Sequence, residues 1–325
     1  MVRPAFATFI TSRARWVIWL CALASLSAPL SRIIPAELFA KALWALELAA
    51  HWQWVYLTVG SLCLVLLLAQ RRTWWPLLPS LLLASSFLVQ SGTLDRGVEP
   101  ASTDSVLVVG TANLNFATTD FSALVHWLSS ADAPDVVFLQ EFTERAQHAL
   151  NTAALVKRYP HRVEAPQPDQ FGLAVLSRHP LAHAQTVDSP DARITRQLRV
   201  MLTFAEGKAV RLSALHPMPP LNADYARTRD ETLIREAQHL AQSDGLALIA
   251  GDFNTTPWAR GLFAIDSQFR RASGLAGTWP NAWGWVSVLP LDHVLASPGW
   301  QLLGAGHGPD LGSDHRPVIV RLLAM

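Results

Sequence analysis

The feature that most constrains this chain is a repeated pattern in which a short apolar run is followed by carboxylate, amide or imidazole side chains. The polar residues in these positions are Asn113, Gln140-Glu141, His216, Gly251-Asp252-Phe253-Asn254 and Ser313-Asp314-His315. Short apolar runs bounded by turn residues predict buried strands. Polar residues just past such strands gather at a sheet edge, where α/β proteins assemble sites from distant parts of the sequence.

The region from residue 105 onward has the composition of a single globular domain of strands and a few helices. Strands are predicted over 106–109, 136–139, 173–176, 200–204, 210–215, 246–250 and 318–322, and helices over 121–130 and 227–242. Strands outnumber helices, and short polar turns separate several of them. We therefore predict an α/β (α+β) fold, a four-layer sandwich of two mostly antiparallel β-sheets flanked by helices.

The first 92 residues have a different composition, because they are strongly apolar and rich in tryptophan. Three apolar segments, at 15–31, 53–70 and 74–91, approach the ~20 residues that cross a bilayer, and tryptophans cluster at their ends. We predict a membrane anchor of three transmembrane helices over 1–92, a linker over 93–104 and a soluble domain over 105–325. A cleaved signal peptide is the alternative for the first segment. Residues 36–50 fit either an interfacial amphipathic helix or an extension of the second span.

The distribution of arginine predicts the orientation of this anchor. Basic residues precede the first apolar segment and separate the second from the third: Arg3, Arg13, Arg15, Arg71 and Arg72. Positive loops remain in the cytoplasm, so three spans would export the C-terminal domain. We predict a multi-pass protein of the inner (cell) membrane whose C-terminal domain lies on the periplasmic or extracellular side. The lipid bilayer is its expected partner, and no obligate protein partner is evident.

Cysteine content and charge exclude several classes of site. Cys21 and Cys63 both fall in apolar segments, so the domain after residue 105 has no thiol nucleophile, disulfide or zinc–thiolate site. A net charge of +1 gives no strong electrostatic argument for nucleic-acid binding. The densest basic stretch, Arg193, Arg196 and Arg199, fits an exposed strand or solvated loop at least as well as a phosphate-binding face.

Taken singly, each polar cluster has an ordinary structural explanation beside a functional one. Glu141 is either a metal ligand or a capping partner of the helix that follows it. Alternation along an extended segment would point Asp252 and Asn254 to one face, although an Asx turn is at least as good an explanation. Asp314-His315 could place an imidazole beside developing negative charge or form a surface turn. Together these residue types can hold a hard divalent cation and cleave a phosphoester.

The order of these clusters resembles the endonuclease/exonuclease/phosphatase superfamily, which has the DNase I-like fold. The residues that carry the resemblance are Asn113, Gln140-Glu141, His216, Gly251-Asp252-Phe253-Asn254, Leu291-Asp292-His293 and Ser313-Asp314-His315. The most specific are Gly-Asp-Phe-Asn after an apolar strand and Ser-Asp-His before one. The resemblance covers residues 105–325, and the chain is similar to bacterial members with a few N-terminal membrane helices.

The resemblance implies a divalent-metal-dependent phosphoesterase, in which a metal ion and an aspartate activate the attacking water. Glu141, with Asn113 nearby, would hold Mg²⁺ or Mn²⁺, and Asp314 would assist this metal or a second cation. Asp252 would deprotonate the water. Asn254 would orient that water or bind a phosphate oxygen.

The remaining roles implied by the resemblance belong to imidazoles and their neighbours. His315, hydrogen-bonded to Asp292, would stabilise the charge that builds on the phosphoryl oxygen. His216 would bind the phosphate from the opposite side and stabilise or protonate the leaving group. Asn113 would contribute to substrate binding together with Asn254 and His216.

Departures from the family pattern leave the substrate open. Ala112 stands where nucleases of the family commonly have an aromatic residue, Asn115 is an additional amide, and the loop 216–220 is rich in proline. Three tryptophans, Trp279, Trp283 and Trp285, could stack on a base, touch a lipid or pack against the sheet. The substrate classes are a nucleic acid, a phospholipid or sphingolipid head group, or a small phosphoester, and weak basicity favours the last two. The alternative function is a non-catalytic membrane protein that uses the fold as a binding or scaffolding module.

Overall fold

The computed structural model describes residues 4–35, 40–69, 74–100, 105–204, 207–281 and 287–325. Its helices are α1 Pro4–Ser25, α2 Ser27–Ile33, α3 Ala40–Ala50, α4 Gln53–Ala69, α5 Leu77–Leu88, α6 Ser122–Ser129, α7 Glu144–Leu150, α8 Ala153–Arg158, α9 Ala223–Ala241 and α10 Arg260–Phe263. Its strands are β1 Val106–Asn113, β2 Val136–Gln140, β3 His161–Ala165, β4 Leu173–Ser177, β5 Leu181–Val187, β6 Gln197–Phe204, β7 Lys208–Leu215, β8 Leu246–Asp252, β9 Arg270–Arg271, β10 Asp292–Ala296, β11 Trp300–His307 and β12 Val318–Ala324.

The chain divides into two compact units. Unit 1 comprises Met1–Gln90 together with Pro257–Phe263, and unit 2 comprises Ser91–Thr256 together with Ala264–Met325. Unit 2 contains two six-stranded sheets, with strand orders β11-β12-β1-β2-β4-β3 and β5-β6-β7-β8-β10-β9. In each sheet one central pair is parallel, β1 with β2 and β7 with β8, and the other pairs are antiparallel. The prediction of two mostly antiparallel sheets flanked by helices is confirmed.

The layers of unit 2 follow from strands that are buried on both faces. In β2, Val136 and Phe138 belong to one core cluster, whereas Val137 and Leu139 belong to another. The first cluster also contains residues of the second sheet, such as Leu248 on β8, so it lies between the sheets. The second cluster contains residues of α6, α7 and α8, which cover the outer face of the first sheet. Burial on both faces explains the continuous apolar run in β2, because a strand exposed on one side would alternate.

The two parallel pairs bring their polar ends together within each sheet. Asn113 at the end of β1 is in register with Gln140 at the end of β2, and Leu215 on β7 is in register with Gly251 on β8. Parallel strands deliver the residues that follow them to the same edge. The antiparallel strand β10 then begins at Asp292, directly opposite Asp252.

Every predicted strand is present, but the sequence analysis omitted five others. The missed strands are β3, β5, β9, β10 and β11. β5 is largely exposed, so it lacks the apolar alternation of a half-buried strand. The described part of the predicted linker, 93–100, belongs to unit 2, in which Thr93 forms a bridge with Arg271 and Arg96 forms one with Leu302. Residues 101–104 lie outside the described part of the chain.

Unit 1 is a helical bundle in which α1, α4 and α5 pack around Ile18, Ala22, Leu67 and Leu83. At Gly60 an added Cβ would lie 2.4 Å from Leu83 Cδ1, so glycine permits the close approach of α4 and α5.

The prediction of three spanning helices is corrected by the helix lengths in the described residues. One helical segment, Phe9–Ile33, which runs from α1 through α2, is long and apolar enough to cross a bilayer. Ala40–Ala50 and Gln53–Ala69 pass the same test only as a pair, and a bend of 57° separates them. Leu77–Leu88 has 12 residues, or about 18 Å of helix, against a hydrocarbon core of about 30 Å. Arg3, Glu37, Arg71 and Arg72, as well as the start of the predicted amphipathic helix at 36–39, lie outside the described residues.

Candidate active site

Several polar groups of unit 2 converge on the carboxylate of Asp252, the last residue of β8. Asp252 is buried, and its Oδ2 accepts a hydrogen bond of 3.1 Å from Asn113 Nδ2. The same oxygen lies 3.5 Å from His216 Nε2 and 3.6 Å from His315 Nε2. These residues come from β1 and from the segments after β7 and before β12, so the fold joins parts of the sequence that are about 200 residues apart.

The backbone around Asp252 adopts a tight turn. Gly251 has φ of 152°, and a Cβ there would lie 1.9 Å from Leu215 O, so only glycine fits. Asn254 has φ of 50°, and its backbone N–H donates to Asp252 Oδ1 at 2.9 Å. Of the two explanations for Asp252 and Asn254, the Asx turn is the one observed, because the chain leaves the extended conformation here. Asn254 Nδ2 instead donates to Pro217 O at 3.0 Å.

The imidazole of His216 is oriented by backbone contacts. His216 Nδ1 lies 3.0 Å from Gln170 O, and a carbonyl can only accept, so Nδ1 carries the proton. Thr195 Oγ1 donates to the His216 carbonyl at 2.7 Å and fixes the chain at the same residue. Nε2 is consequently the nitrogen that faces Asp252.

His315 and Asp292 form a buried pair. His315 Nδ1 lies 2.8 Å from Asp292 Oδ2. Burial by itself lowers the pKa of His315, but Asp292, Asp252 and Asp314 together outweigh it and raise this pKa to about 10. Burial raises the pKa of Asp292, and the adjacent imidazolium opposes that change. His315 is therefore charged at neutral pH.

Thr278 holds the start of β10 in place. Its Oγ1 accepts hydrogen bonds from the backbone N–H groups of Leu291, at 3.0 Å, and Asp292, at 3.3 Å. The same hydroxyl donates to Leu289 O at 3.3 Å. Thr278 thus fixes the backbone that carries Asp292.

Glu141 lies against Asn113 rather than capping a helix. Its Oε1 accepts from Asn113 Nδ2 at 3.0 Å, and its Oε2 accepts from Phe116 N at 2.8 Å. Thr143 is the residue that caps α7, since its hydroxyl accepts from Ala146 N. Of the two explanations for Glu141, the capping one is not observed.

Asn113 and Asp314 are both held through Asn115. Asn115 N donates to Asn113 Oδ1 at 2.9 Å, so the amide nitrogen of Asn113 is the atom that faces the two carboxylates. Asp314 is exposed, and its Oδ1 and Oδ2 accept from Asn115 Nδ2 at 2.9 Å and Trp279 Nε1 at 3.1 Å. Asp314 is thus joined to the site through its neighbours. Trp283 and Trp285 lie outside the described residues.

The donor set fits a hard divalent cation. Atoms of Asp252, Asp292 and His315 lie within 4.8 Å of one another, but the protonated ring of His315 offers no lone pair to a cation. Glu141 Oε1 and Asp252 Oδ2 share the single amide nitrogen of Asn113, which concentrates negative charge around a neutral donor. Oxygen ligands with several carboxylates suit Mg²⁺ or Mn²⁺ better than a soft metal. Glu141, which lies against Asn113, is the residue that would hold such an ion.

The basic stretch identified in the sequence is fully engaged in ion pairs. The pairs are Arg193 with Asp191 at 2.7 Å, Arg196 with Asp188 at 2.7 Å and Arg199 with Glu236 at 2.6 Å. Each guanidinium already has a carboxylate partner, so none of the three is available to a phosphate without breaking a pair. The ion pairs favour the explanation of this stretch as an exposed strand and solvated loop over a phosphate-binding face.

Sequence reasoning missed the residues that orient the site. Arg229 is buried on α9 and donates from Nη1 to Asn254 O at 2.8 Å. His293 is also fully buried, and its ring nitrogens lie 3.0 Å from Ser273 Oγ and Thr255 O. Burial lowers the pKa of His293 to about 4, so it is a neutral structural residue. For His293, the sequence offered one signal, its position directly after Asp292 in a motif. For Arg229, no nearby motif marked the residue.

Comparison with known proteins gives the chain a family. Residues 110–315 match the Endonuclease/Exonuclease/phosphatase family. None of the curated protein sequences compared with the chain is significantly similar to it.

Solved structures support the same fold. An endonuclease/exonuclease/phosphatase from Beutenbergia cavernae is 18% identical over 68% of this chain and 72% of its own, with a TM-score of 0.55. TDP2 of D. rerio, complexed with a single-strand DNA product, is 19% identical over 67% and 99% of the two chains, with a TM-score of 0.56. A family protein from Bacteroides thetaiotaomicron is 16% identical over 68% and 95%, with a TM-score of 0.54. The chain therefore belongs to the endonuclease/exonuclease/phosphatase family and is an enzyme that hydrolyses phosphoester bonds.

Proposed function

We propose that the enzyme hydrolyses phosphodiesters, with Asp252 as the base that accepts a proton from the attacking water. The observation that carries this proposal is the convergence of His216 Nε2, His315 Nε2 and Asn113 Nδ2 on one oxygen of Asp252. A base surrounded by groups that bind anions suits attack of water on a phosphoryl centre. The backbone N–H of Asn254 holds the other carboxylate oxygen and fixes its direction.

His315 is the group that stabilises charge in the transition state. It is an imidazolium at neutral pH, so its Nε2–H can donate to a non-bridging phosphoryl oxygen as negative charge develops there. Asp292 holds the ring and keeps it charged. A preformed donor of this kind needs no reorganisation during the reaction.

His216 and Asn254 complete the substrate contacts. His216 Nδ1–H is tied to Gln170 O, so Nε2 can interact with the phosphate or the leaving group. Asn254 Nδ2 is bound to Pro217 O, so its Oδ1 is directed away from that carbonyl and can accept from the attacking water. Asn113 would donate to the phosphate from Nδ2.

We propose Mg²⁺ or Mn²⁺ as the cofactor, held by Glu141 beside Asn113. When bound, the cation would act as a Lewis acid on the phosphoryl group. Asn113 would orient both carboxylates through its amide nitrogen. Asp314, whose oxygens accept from Asn115 and Trp279, would contribute at the rim of the site.

A small or lipid phosphodiester is the substrate class that the charges favour. Binding to duplex DNA draws its affinity from unpaired Lys and Arg side chains along the backbone track. In this chain the densest arginine stretch is committed to carboxylates. The D. rerio structure with its single-strand DNA product keeps single-stranded DNA among the substrates to be tested.

Unit 1 is proposed to lie in a lipid bilayer. Its helices carry many exposed large apolar side chains, such as Trp16, Leu20, Leu62, Val65 and Leu81, which are each 62–69% exposed. Apolar exposure on this scale marks an interaction surface. Orientation with unit 2 outside the cytoplasm rests on the arginines near the N-terminus. Reporter fusions to the C-terminus test it, since only an exported alkaline phosphatase would be active.

The test of the proposed function uses the full chain in detergent. Hydrolysis is measured on bis-p-nitrophenyl phosphate, sphingomyelin and plasmid DNA, with Mg²⁺ or with EDTA, and in parallel on Asp252→Asn. Asp132→Asn is the matched control. Asp132 is an exposed aspartate before the start of β2, at the end of this strand opposite to Gln140. We expect metal-dependent turnover of the first two substrates that Asp252→Asn abolishes. Efficient, salt-sensitive nicking of plasmid DNA would refute the substrate class, and turnover by Asp252→Asn would refute the mechanism.

A further inference from the structure

A cavity of about 260 Å³ in unit 2 borders the carboxylate of Asp292. Ser273, Ala305, His307 and Val318 are among the other residues that line it. His307 is in register with Val318 of β12, which belongs to the core cluster between the sheets. Residues in register present their side chains on the same face of a sheet, so the His307 imidazole faces the gap between the sheets. The cavity therefore lies at the end of the inter-sheet core, where apolar side chains give way to an imidazole and a carboxylate.

The oxygen Oδ1 of Asp292 lacks a protein donor. Asp292 is 1% exposed, and its Oδ2 lies 2.8 Å from His315 Nδ1. Oδ1 has no hydrogen-bond partner in the part of the chain that the structure describes. The Thr278 hydroxyl is near the same carboxylate, but its proton is directed to Leu289 O at 3.3 Å. A buried carboxylate oxygen without a donor is costly, so its donor must be a molecule in the cavity.

The hydroxyl of Ser273, which also lines the cavity, is engaged elsewhere. Its Oγ lies 3.0 Å from His293 Nδ1. Because His293 is neutral and its Nε2 lies 3.0 Å from Thr255 O, Nε2 carries the proton and Nδ1 accepts from Ser273. Burial lowers the pKa of His307, so its imidazole is neutral at neutral pH. A neutral imidazole has one donor and one acceptor nitrogen, so it can hold a water whose protons point to Asp292 Oδ1.

We propose that this cavity is a water-binding site, and that His307 is a positioning residue that holds its water as a donor to Asp292 Oδ1. The inference rests on the proposed function, because it gives the cavity a role in orienting His315. With both oxygens bound, the Asp292 carboxylate is fixed about its Cβ–Cγ bond, and the ring of His315 keeps its direction. The cavity has space for several waters, each of which takes about 30 Å³.

The kinetic consequence follows from the role of His315. This imidazolium acts on charge that develops in the transition state. Loss of the water that holds its partner should therefore lower kcat and leave KM nearly unchanged. A change that only loosened the fold would instead lower the amount of folded protein and the melting temperature.

The experiment compares full-length variants in detergent. His307→Phe removes the ring nitrogens, His307→Gln keeps a hydrogen-bonding group, and Ala305→Leu fills the cavity from its exposed rim. The control is His179→Phe, which replaces another partly buried histidine, packed edge-to-face on Phe204 beyond the end of β4 that is remote from the site. The readouts are melting temperature, kcat and KM on bis-p-nitrophenyl phosphate, and the low-field proton NMR signal of His315 Nδ1–H, assigned by its absence in His315→Gln.

We expect kcat to fall about tenfold in His307→Phe and in Ala305→Leu, the lower end for loss of a group that orients a functional side chain, with KM changed less than about twofold. His307→Gln should retain most of the activity, and His179→Phe should match the wild type. The His315 signal should move or broaden in His307→Phe and Ala305→Leu. Wild-type kcat in both of these variants, or equal losses in His307→Phe and His307→Gln, would overturn the inference.

The NMR signal separates this inference from the proposed function. If the wild type does not hydrolyse phosphodiesters, the proposed function fails. A changed His315 signal in His307→Phe and Ala305→Leu, with unchanged melting, would still support the water site. An unchanged signal in both variants, or a wild type in which His315 gives no such signal, would overturn it.

Discussion

Replacing Asp292 by asparagine tests the role of the buried imidazolium. The pKa of His315 rises from 6.5 to about 10, which corresponds to about 5 kcal/mol in favour of the charged ring. Asp292 supplies the largest share, because it is the carboxylate in direct contact at 2.8 Å. Asp292→Asn should therefore remove most of this energy and bring the pKa of His315 most of the way back to its ordinary value.

The expected consequence is a change in the pH profile. A histidine whose pKa is raised stays charged until the pH rises through that pKa, so the wild type keeps its imidazolium throughout pH 6–9. In Asp292→Asn the ring loses its proton as pH rises through neutrality. We expect kcat to fall about tenfold or more at pH 8, corresponding to about 1.4 kcal/mol or more, and distinctly less at pH 6, where the ring is charged in both proteins.

The assay is hydrolysis of bis-p-nitrophenyl phosphate by the full chain between pH 6 and pH 9. Asp314→Asn is the control, because Asp314 is exposed and contributes least to the pKa of His315. Its profile should keep the shape of the wild type. Parallel profiles for Asp292→Asn and the wild type, with the same loss at every pH, would refute the assignment of His315 as a charged donor.

Three further substitutions test how the site is supported. Gly251→Ala places a Cβ 1.9 Å from Leu215 O and should destabilise the protein by about 3 kcal/mol or more, seen as a lower Tm and inactive protein. Glu236→Gln leaves the partly buried Arg199 without its charged partner, and should cost roughly 2 kcal/mol by thermal unfolding. Thr278→Val leaves two backbone N–H groups without an acceptor, and should cost about 1–3 kcal/mol and lower kcat. Unchanged melting in any of these variants contradicts the contact concerned.

The fold was predictable where burial dictates residue type. The run at 136–139 must be apolar on both faces because it packs between two core clusters, so its sequence alone predicts a strand. Leu181–Val187 is an exposed edge strand whose side chains are free to vary, and Trp300–His307 contains glycines and a bulge. Neither has a pattern that distinguishes it from a loop.

The helices of unit 1 show that hydropathy does not predict where a helix begins and ends. Composition identified the apolar segments correctly, but an apolar window does not define where a helix begins and ends. Pro76 precedes α5, and a bend separates α3 from α4, so two of the three predicted spans are shorter than a bilayer requires. Helix ends depend on local backbone geometry that the average hydropathy of a segment does not contain.

The residue types of the site were predictable, but their arrangement was not. The motif order was sufficient to single out Asp252, His216 and His315, whose side chains the structure brings together; their catalytic roles remain predictions. The orienting partners Gln170 and Thr278 were missed, since a backbone carbonyl or a lone hydroxyl that becomes close only in the fold leaves no mark in the sequence. The Asx turn after Asp252 was one of two explanations, and only the φ of Asn254 decides between them.

The most direct test of the account is the metal dependence of bis-p-nitrophenyl phosphate hydrolysis by full-length protein, compared between wild type, Asp252→Asn and Asp132→Asn. The account predicts turnover with Mg²⁺ or Mn²⁺ that EDTA removes, that Asp132→Asn retains and that Asp252→Asn loses by at least about a thousandfold, the order expected for a general base acting at a metal site. Turnover that persists in EDTA, or that survives in Asp252→Asn, would contradict it.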